Sequence, residues 1–255
     1  MRHLAPLPRR PGMGMWSTRA SGGGAAWTPA TWATRRRAHW SASEGVTVTA
    51  DHVSGLADLA GGLYDMGPVG ALSTMPIPSV SLGAPCLTFS GSAHLMTADT
   101  PLDPTAGAQY TVYMACRYST AAAGRCVMTT ATSGGSRLSQ GVAGAISGTR
   151  RVEDWIAGVA FSTSSAVART TGLSIILSTR VGNTGNARMW VNGDEVVLSN
   201  PGANVVAPAG SLYLGSVAGS VFHTGDWFET VILDGAPESE DIDTWSAYTL
   251  ALIGA

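Results

Sequence analysis

The sequence contains no lysine: all 15 of its basic residues are arginine, against 17 acidic residues, and only 13% of its residues are charged. Lysine, glutamate and glutamine favour helices, so their scarcity argues against a mainly helical protein. The 32 glycines instead favour short strands joined by tight turns. All-β domains of this length are commonly single domains, and the sequence shows neither an internal repeat nor a second domain.

Cysteine is also rare. Cys86, Cys116 and Cys126 make an odd count with no C-x-x-C pair, which indicates neither a disulfide framework nor a zinc site. We interpret all three as small buried apolar residues.

Long apolar runs are missing as well. No stretch of 18 apolar residues occurs, so we predict no membrane span. The first eleven residues lack the apolar segment of a secretion signal, and the proline and glycine spacing of the arginine-rich start does not suit the amphipathic helix of a transit peptide.

Charge is strongly segregated along the chain. Residues 1–43 carry seven arginines and no acid, whereas all 17 acidic residues lie in the remainder. This proline- and glycine-rich start cannot fold alone, so we predict an extended docking arm over residues 1–45. An acidic body with no aromatic interleaving favours a protein surface over nucleic acid as its partner, and the alternative is an arm that wraps its own body. The residues expected to make the docking contacts are Arg9, Arg10, Trp16, Trp27, Arg35, Arg36 and Arg37.

The chain ends in a strand and a helix. Residues 222–234 form a Val/Ile-rich run whose alternation predicts Phe228, Thr230 and Ile232 on one face and Trp227, Glu229, Val231 and Leu233 on the other. Pro237 and the acids after it predict a helix over residues 238–252, because acidic side chains suit a helix N-terminus.

The middle of the chain is a series of strands. We predict strands over residues 110–118, 125–132, 138–142, 155–162 and 173–181, and a hairpin over 187–198 that turns at Asn192-Gly193. About a dozen strands with glycine-rich turns predict an all-β fold. The expected architecture is a two-sheet antiparallel jelly-roll sandwich over residues 46–255, with a short C-terminal helix.

Three segments in order resemble a known family. They are Val53 to Gly61, Gly83-Ala-Pro-Cys-Leu-Thr-Phe-Ser-Gly91, and Gly225-Asp-Trp-Phe-Glu-Thr-Val-Ile232 with the acidic helix after it. The pattern is similar to concanavalin A-like lectin/glucanase domains, in particular the laminin G-like kind of bacterial and phage proteins. This chain departs from it at Leu56 (usually Trp), Ala60 (usually Ser) and Ser90 (usually Asp).

The resemblance implies a structural or adhesion role. We expect a non-enzymatic virion protein, such as a head decoration, fibre, or tail or spike component, that docks by its arm and displays the sandwich toward host-surface glycan. Such a protein is expected on the particle surface, as a homo-oligomer, after synthesis in the host cytoplasm without a secretion signal. A cellular carbohydrate-binding lectin and a glycoside hydrolase remain as alternatives.

No catalytic residue is predicted. Retaining glucanases of this fold place alternate carboxylates along one strand, and the acid clusters here, Glu153-Asp154 and residues 238–243, do not match that pattern. No histidine lies in a nucleophile motif, and no phosphate-binding glycine loop occurs.

Candidate glycan-binding residues are loop amides and acids near tryptophans, namely Trp155, Asp154, Asn183, Asn186 and Trp190. For each tryptophan, burial in the core is the competing interpretation. Relatives often bind calcium through loop oxygens, but Asp154, Asn183, Asn186 and Asp194 do not form a calcium motif. We therefore predict no metal or cofactor, with calcium as the alternative.

Overall fold

The computed structural model describes residues 28–102, 107–118, 125–130, 139–146, 149–156, 159–162, 172–180, 187–197, 210–217 and 221–253. Two antiparallel sheets and one C-terminal helix, α1 (Ser239–Ile253), make up these parts of the chain. Within the described residues, no helix is both long and apolar enough to cross a membrane. The predicted all-β sandwich with a terminal helix is confirmed.

The first sheet has the order β15-β14-β13-β8-β19-β6-β5, and β1 pairs with residues 229–233 of β19. Its strands are β1 (Arg36–Ser41), β5 (Ile77–Ser81), β6 (Ala84–Ser90), β8 (Gln109–Tyr118), β13 (Gly172–Arg180), β14 (Arg188–Val191), β15 (Asp194–Val196) and β19 (Thr224–Asp234).

The second sheet has the order β12-β11-β10-β9-β16-β7-β4-β3-β2, and β17 (Ser216–Val217) and β18 (Val221–Phe222) form a separate ribbon. Its strands are β2 (Val46–Thr49), β3 (His52–Leu56), β4 (Met66–Pro68), β7 (Leu95–Thr97), β9 (Arg125–Thr130), β10 (Ser139–Ile146), β11 (Thr149–Ile156), β12 (Val159–Ser162) and β16 (Leu212–Leu214). Two short 3-10 turns lie at Pro29–Trp32 and Leu72–Thr74.

The central strands of the first sheet are buried on both faces. Along β8, Val112, Met114 and Cys116 face the core between the sheets, whereas Tyr113 and Ala115 face a second apolar cluster beneath α1. Trp245 of α1 is fully buried in that second cluster. Because the face beneath α1 is apolar, a polar side chain on that face needs a hydrogen-bond partner within the protein.

A β-bulge changes the predicted faces of β19. Trp227 pairs with Cys116 and Glu229 with Ala115, so Phe228 is the extra residue. Trp227 therefore faces the inter-sheet core together with Ile232, and Phe228 faces α1. The prediction was wrong for Trp227 and Phe228, because an extra residue inverts the alternation before it.

The boundary between arm and sandwich was also placed wrongly. β1 pairs with β19 from Arg36 opposite Leu233 to Ser41 opposite Glu229, and Trp40 of β1 is fully buried. Residues 36–45 therefore belong to the sandwich, because a strand of the main sheet cannot also be a free arm. The segment before residue 28 lies outside the described residues.

Most predicted elements of the middle and the end are confirmed. The hairpin turns at Asn192 and Gly193, with φ of 54° and 91°, as a type I′ turn requires. The single strand predicted over 155–162 is instead the end of β11 and the whole of β12. Cys86 and Cys116 are buried, as expected, and neither is part of a disulfide.

Candidate functional site

A pocket of about 330 Å³ opens where β1, β19 and α1 meet. The polar groups of its lining come from β1 and the turn after it, from β19 and from α1, and residues 28–30 close one side. These polar groups are Arg36, His39, Ser41, Ser43, Glu44, Glu229 and Tyr248.

The register between β1 and β19 creates this arrangement. Ser41 lies opposite Glu229, and His39 lies opposite Val231. Residues two apart in a strand share a face, so His39, Ser41 and Glu229 all project to the helix side. Ala38 and Trp40 project the other way, into the inter-sheet core.

The centre of the pocket is a buried histidine–carboxylate pair. His39 Nε2 lies 2.6 Å from Glu229 Oε1, and the two side chains are only 7% and 3% exposed. The second ring nitrogen, Nδ1, lies 3.1 Å from Arg36 Nη1. A guanidinium only donates hydrogen bonds, so Nδ1 accepts and the ring proton sits on Nε2, which donates to Glu229.

The backbone around His39 is fixed as well. The His39 amide donates to Asp58 Oδ1 at 2.9 Å, and the His39 carbonyl accepts from the Leu59 amide at 2.7 Å. Arg36 Nη2 donates to the Leu59 carbonyl at 3.0 Å. The histidine ring therefore has little freedom to turn toward another partner.

The Glu229 carboxylate also meets a side chain of the helix. Its second oxygen, Oε2, is buried. Tyr248 of α1 lines the same pocket and forms a side-chain hydrogen bond with Glu229. Burial raises the pKa of the Tyr248 phenol, and the negative charge of Glu229 and this hydrogen bond raise that pKa further. The carboxylate is therefore held between the histidine of β1 and the phenol of α1, as a buried charge requires.

The lining of the pocket also contains two hydroxyl groups and a second acid. Ser41 Oγ lies 2.8 Å from Ser43 Oγ and also accepts from the Ser43 amide at 3.2 Å. Glu44 is exposed at the mouth of the pocket. No nitrogen of His39 retains a lone pair for Ser41, so this serine has no general base in the histidine.

Three of the predicted docking arginines, Arg35, Arg36 and Arg37, contact other residues of the same chain. Arg35 pairs with Asp241 at 2.9 Å and with Glu238 at 3.3 Å, and Arg37 pairs with Asp234 at 2.9 Å. Arg36 holds His39, as described above. These contacts tie the start of β1 to the last strand and helix, and the docking of these three arginines on a partner stays a prediction. Arg9, Arg10, Trp16 and Trp27 lie outside the described residues.

Trp190 is buried and has no exposed ring face on which a sugar could stack. It is 4% exposed, lies in the cluster beneath α1, and carries the Arg188 guanidinium 4.7 Å from its ring centre. Its competing interpretation, core packing, is the one that the structure supports.

The other predicted glycan and calcium residues do not form a described site. Asp154 and Trp155 lie in β11, paired with Phe161 and Ala160 of β12, but their side chains are outside the description. Asn183 and Asn186 lie outside the described residues. Within the described ranges, no three His, Cys, Asp or Glu side chains are grouped to hold a metal.

The sequence reasoning missed His39, Glu229 and Tyr248 as a group. One signal was available: Glu229 is the only charged residue in the apolar run 227–233. A carboxylate predicted to be buried needs a partner, and this requirement points to a nearby polar site.

No protein-family model and no curated protein sequence matches this chain. Solved structures do match. One is domain 4 of AbnA, a GH43 extracellular arabinanase from Geobacillus stearothermophilus, in complex with arabinotriose. Its TM-score is 0.62 at 15% identity, with 83% of this chain and 98% of that chain covered.

Two further neighbours are larger proteins. The binding domain of Paraclostridial Mosquitocidal Protein 1 gives a TM-score of 0.56 at 8% identity over 85% of this chain, and this chain spans 53% of it. Trypanosoma rangeli sialidase in complex with the inhibitor DANA gives 0.54 at 12% identity over 84% of this chain, which spans 32% of that enzyme. At these identities the likeness shows the fold alone: a β-sandwich also found in carbohydrate-binding and glycosidase proteins.

Proposed function

We propose that this protein is a non-catalytic, glycan-binding β-sandwich on the surface of a virion or phage-like particle. The observation that carries the binding role is the pocket of about 330 Å³ whose lining includes the polar side chains of His39, Ser41, Ser43, Glu44 and Glu229. A small-molecule site combines a concave surface with a few convergent polar groups, and this pocket has both.

Sugars suit such a lining because each ring presents several hydroxyl donors and acceptors. The hydroxyls of Ser41 and Ser43, the carboxylate of Glu44 and the carboxylate of Glu229 offer complementary groups within one pocket. The fold adds support, since a structural neighbour of this chain was solved with arabinotriose bound.

The non-catalytic part of the proposal rests on His39. Both ring nitrogens are engaged, one by Arg36 and one by Glu229. A general base needs an accessible lone pair on the abstracting atom, and this ring offers none while both bonds persist.

The particle role rests on charge segregation. Four arginines and no acid precede residue 28, whereas the sandwich carries every acidic residue of the chain. We propose that this segment docks on an acidic partner protein through Arg9, Arg10, Trp16 and Trp27, in a homo-oligomeric array. The sandwich would then face host-surface glycan as a head decoration, fibre, or tail or spike component, after synthesis in the host cytoplasm.

Deleting residues 1–27 tests this division of labour. We expect the shortened protein to keep its fold by circular dichroism and its binding on a glycan array, but to be lost from purified particles. Loss of glycan binding would refute the pocket as the binding site. Glycan binding by a protein that never co-purifies with particles would favour the alternative, a cellular lectin.

A glycoside hydrolase is the second candidate, because Glu44 and Glu229 line one pocket. Paired carboxylates are the machinery of glycosidases. Incubation with a panel of glycosides tests it. Turnover that disappears in both Glu44→Gln and Glu229→Gln would establish the hydrolase and refute the non-catalytic proposal, whereas we expect no turnover.

A further inference from the structure

We infer that one lateral edge of the sandwich is a contact surface for a second copy of this chain, which packs the same edge against it. This surface, the β2/β5 edge, consists of β2, β5 and the turn after β5. The inference goes beyond glycan binding and does not depend on it, since it assigns the surface through which copies of the proposed homo-oligomer meet.

The two sheets end side by side at this edge. β2 is the last strand of the second sheet, and β5 is the last strand of the first. The Val53 amide of β3 donates to the carbonyl of Pro76, just before β5, at 2.9 Å. This hydrogen bond holds the borders of the two sheets together.

Core-facing side chains remain uncovered there. Val48 of β2 lies opposite Val53, which belongs to the inter-sheet core, and therefore faces the same side. Pro78 of β5 lies opposite Leu87, also of that core, and Val80 shares its face two residues later. Yet Val48 is 47% exposed and Val80 is 69% exposed. Clustered apolar side chains that point inward but stay exposed indicate a surface that another molecule covers.

The hairpin between β5 and β6 carries a strained leucine at its tip. Its turn is Leu82-Gly83, with φ of 54° and 85°. Asn, Asp or Gly usually takes the first of these positions, because a positive φ brings the Cβ of other residues close to the following carbonyl oxygen. Leu82 is nevertheless 60% exposed. A strained apolar side chain that gains nothing from the core fits a role in an interface.

The chemistry of the edge matches its own copy. Neither β2 nor residues 66–98 contain an Asp, Glu, Lys or Arg. The exposed polar side chains of β2 and β5 are all hydroxyls, namely Thr47, Thr49 and Ser79. In a two-fold contact the same patch meets itself, so a charge would face its like. A hydroxyl both donates and accepts, so it can pair with a hydroxyl of the other copy.

Other classes of partner fit this edge less well. Nucleic acid and anionic lipid require basic residues, and the charged residues that flank β2 in the sequence are the acids Glu44 and Asp51. An extended peptide that adds a strand requires a row of backbone donors, and Pro78 of β5 has no amide hydrogen. A folded copy that packs side chain against side chain meets neither objection.

The small size of the edge sets the expected strength. Stable complexes bury about 800 Å² per partner, and the uncovered apolar groups here are a few side chains. We therefore expect a weak, reversible dimer in solution. In an array, such a contact is repeated and strengthened by its neighbours.

Sedimentation velocity of the full chain from about 1 μM to about 500 μM tests the inference, because this range brackets the affinity expected of a small interface. We expect dimer to accumulate with concentration. Val80→Asp should raise the midpoint concentration about tenfold or more, because it places like charges across the contact. Leu82→Asn should do the same by removing the apolar tip.

Two controls separate the contact from an effect on folding. Asn is the residue that the turn prefers, so Leu82→Asn should unfold at the same urea concentration as the wild type or at a higher one. Val197→Asp is the matched control for Val80→Asp. Val197 is 71% exposed and directly follows β15, at the opposite border of the first sheet. It should leave the midpoint concentration unchanged.

Three results would overturn the inference. A full chain that stays monomeric throughout would leave the edge to residues 1–27 of the same chain or to a foreign protein. A dimer that survives both Val80→Asp and Leu82→Asn would lie elsewhere on the surface. Flotation of the full chain with phosphatidylcholine vesicles, lost in Leu82→Asn, would assign the edge to lipid. The glycan array measures the proposed binding function separately, so the two can fail independently.

Discussion

Replacing His39 with leucine should be strongly destabilising, because it removes a donor from a carboxylate that stays buried. Glu229 is 3% exposed and His39 is its hydrogen-bond partner at 2.6 Å. Breaking a buried pair by removing one member typically costs about 3–5 kcal/mol, since the remaining charge is uncompensated. We therefore expect His39→Leu to lower the free energy of unfolding by about 3–5 kcal/mol.

The double variant His39→Leu/Glu229→Leu separates this cause from simple loss of packing. Replacing both members of a buried pair with apolar residues is often neutral or stabilising. The double variant should thus be more stable than His39→Leu alone, although it carries one more substitution. Such a positive interaction energy is the signature of two coupled residues.

Urea unfolding monitored by tryptophan fluorescence measures these differences. The matched control is His52→Leu: this half-buried histidine hydrogen-bonds with the Met75 carbonyl and forms no ion pair with any residue that the structure describes. Its expected cost is about 1 kcal/mol, the usual net value of one hydrogen bond. If His39→Leu costs no more than the control, or the double variant is the less stable of the two, the description of a costly buried carboxylate is wrong.

Three other predictions concern stability. Asp241→Ala should lower the free energy of unfolding by about 2–3 kcal/mol in urea, because the Asp241 carboxylate accepts hydrogen bonds from the Trp32 indole at 2.8 Å and from the Arg35 guanidinium at 2.9 Å. A cost below about 0.5 kcal/mol would mean that Asp241 does not hold Trp32 and Arg35 in place. Gly215→Ala should cost about 2–5 kcal/mol, since φ is +95° and the new Cβ would lie 2.3 Å from the Phe89 ring; Gly67→Ala, with nothing within 4 Å, is the control and should change little. The hydrogen bond from its arginine partner lowers the pKa of Glu195, so this group stabilises the fold above its unfolded pKa and loses that contribution as the pH falls through its folded pKa. Glu195→Gln should therefore reduce stability slightly at pH 7, by less than about 0.5 kcal/mol for so exposed a pair, and not at all near pH 2, and a deficit that persists in acid would contradict this assignment.

Local pattern determined most of the sandwich. The strands β8 and β13, the Asn192-Gly193 turn and the acidic start of α1 are set by neighbours within a few residues, and the structure confirms each. Such features follow from the sequence because side-chain period, positive φ and helix-terminus electrostatics are local properties.

Tertiary pairing decided what the local pattern could not. The sequence predicts residues 36–41 as part of a basic arm, yet they form β1 because β19 supplies their backbone hydrogen bonds. The acids that pair with Arg35 and Arg37, Asp241 and Asp234, lie roughly 200 residues later in the chain. The bulge at Phe228 likewise depends on the partner strand and not on β19 alone.

The pocket illustrates the same division. The sequence established that a carboxylate, Glu229, lies within an apolar strand that must be buried. It did not establish that His39, 190 residues away, and Tyr248 of α1 would both hydrogen-bond this carboxylate. That outcome depends on the register between β1 and β19 and on the seating of α1, because burial and hydrogen bonding are properties of the assembled layers and not of any one segment.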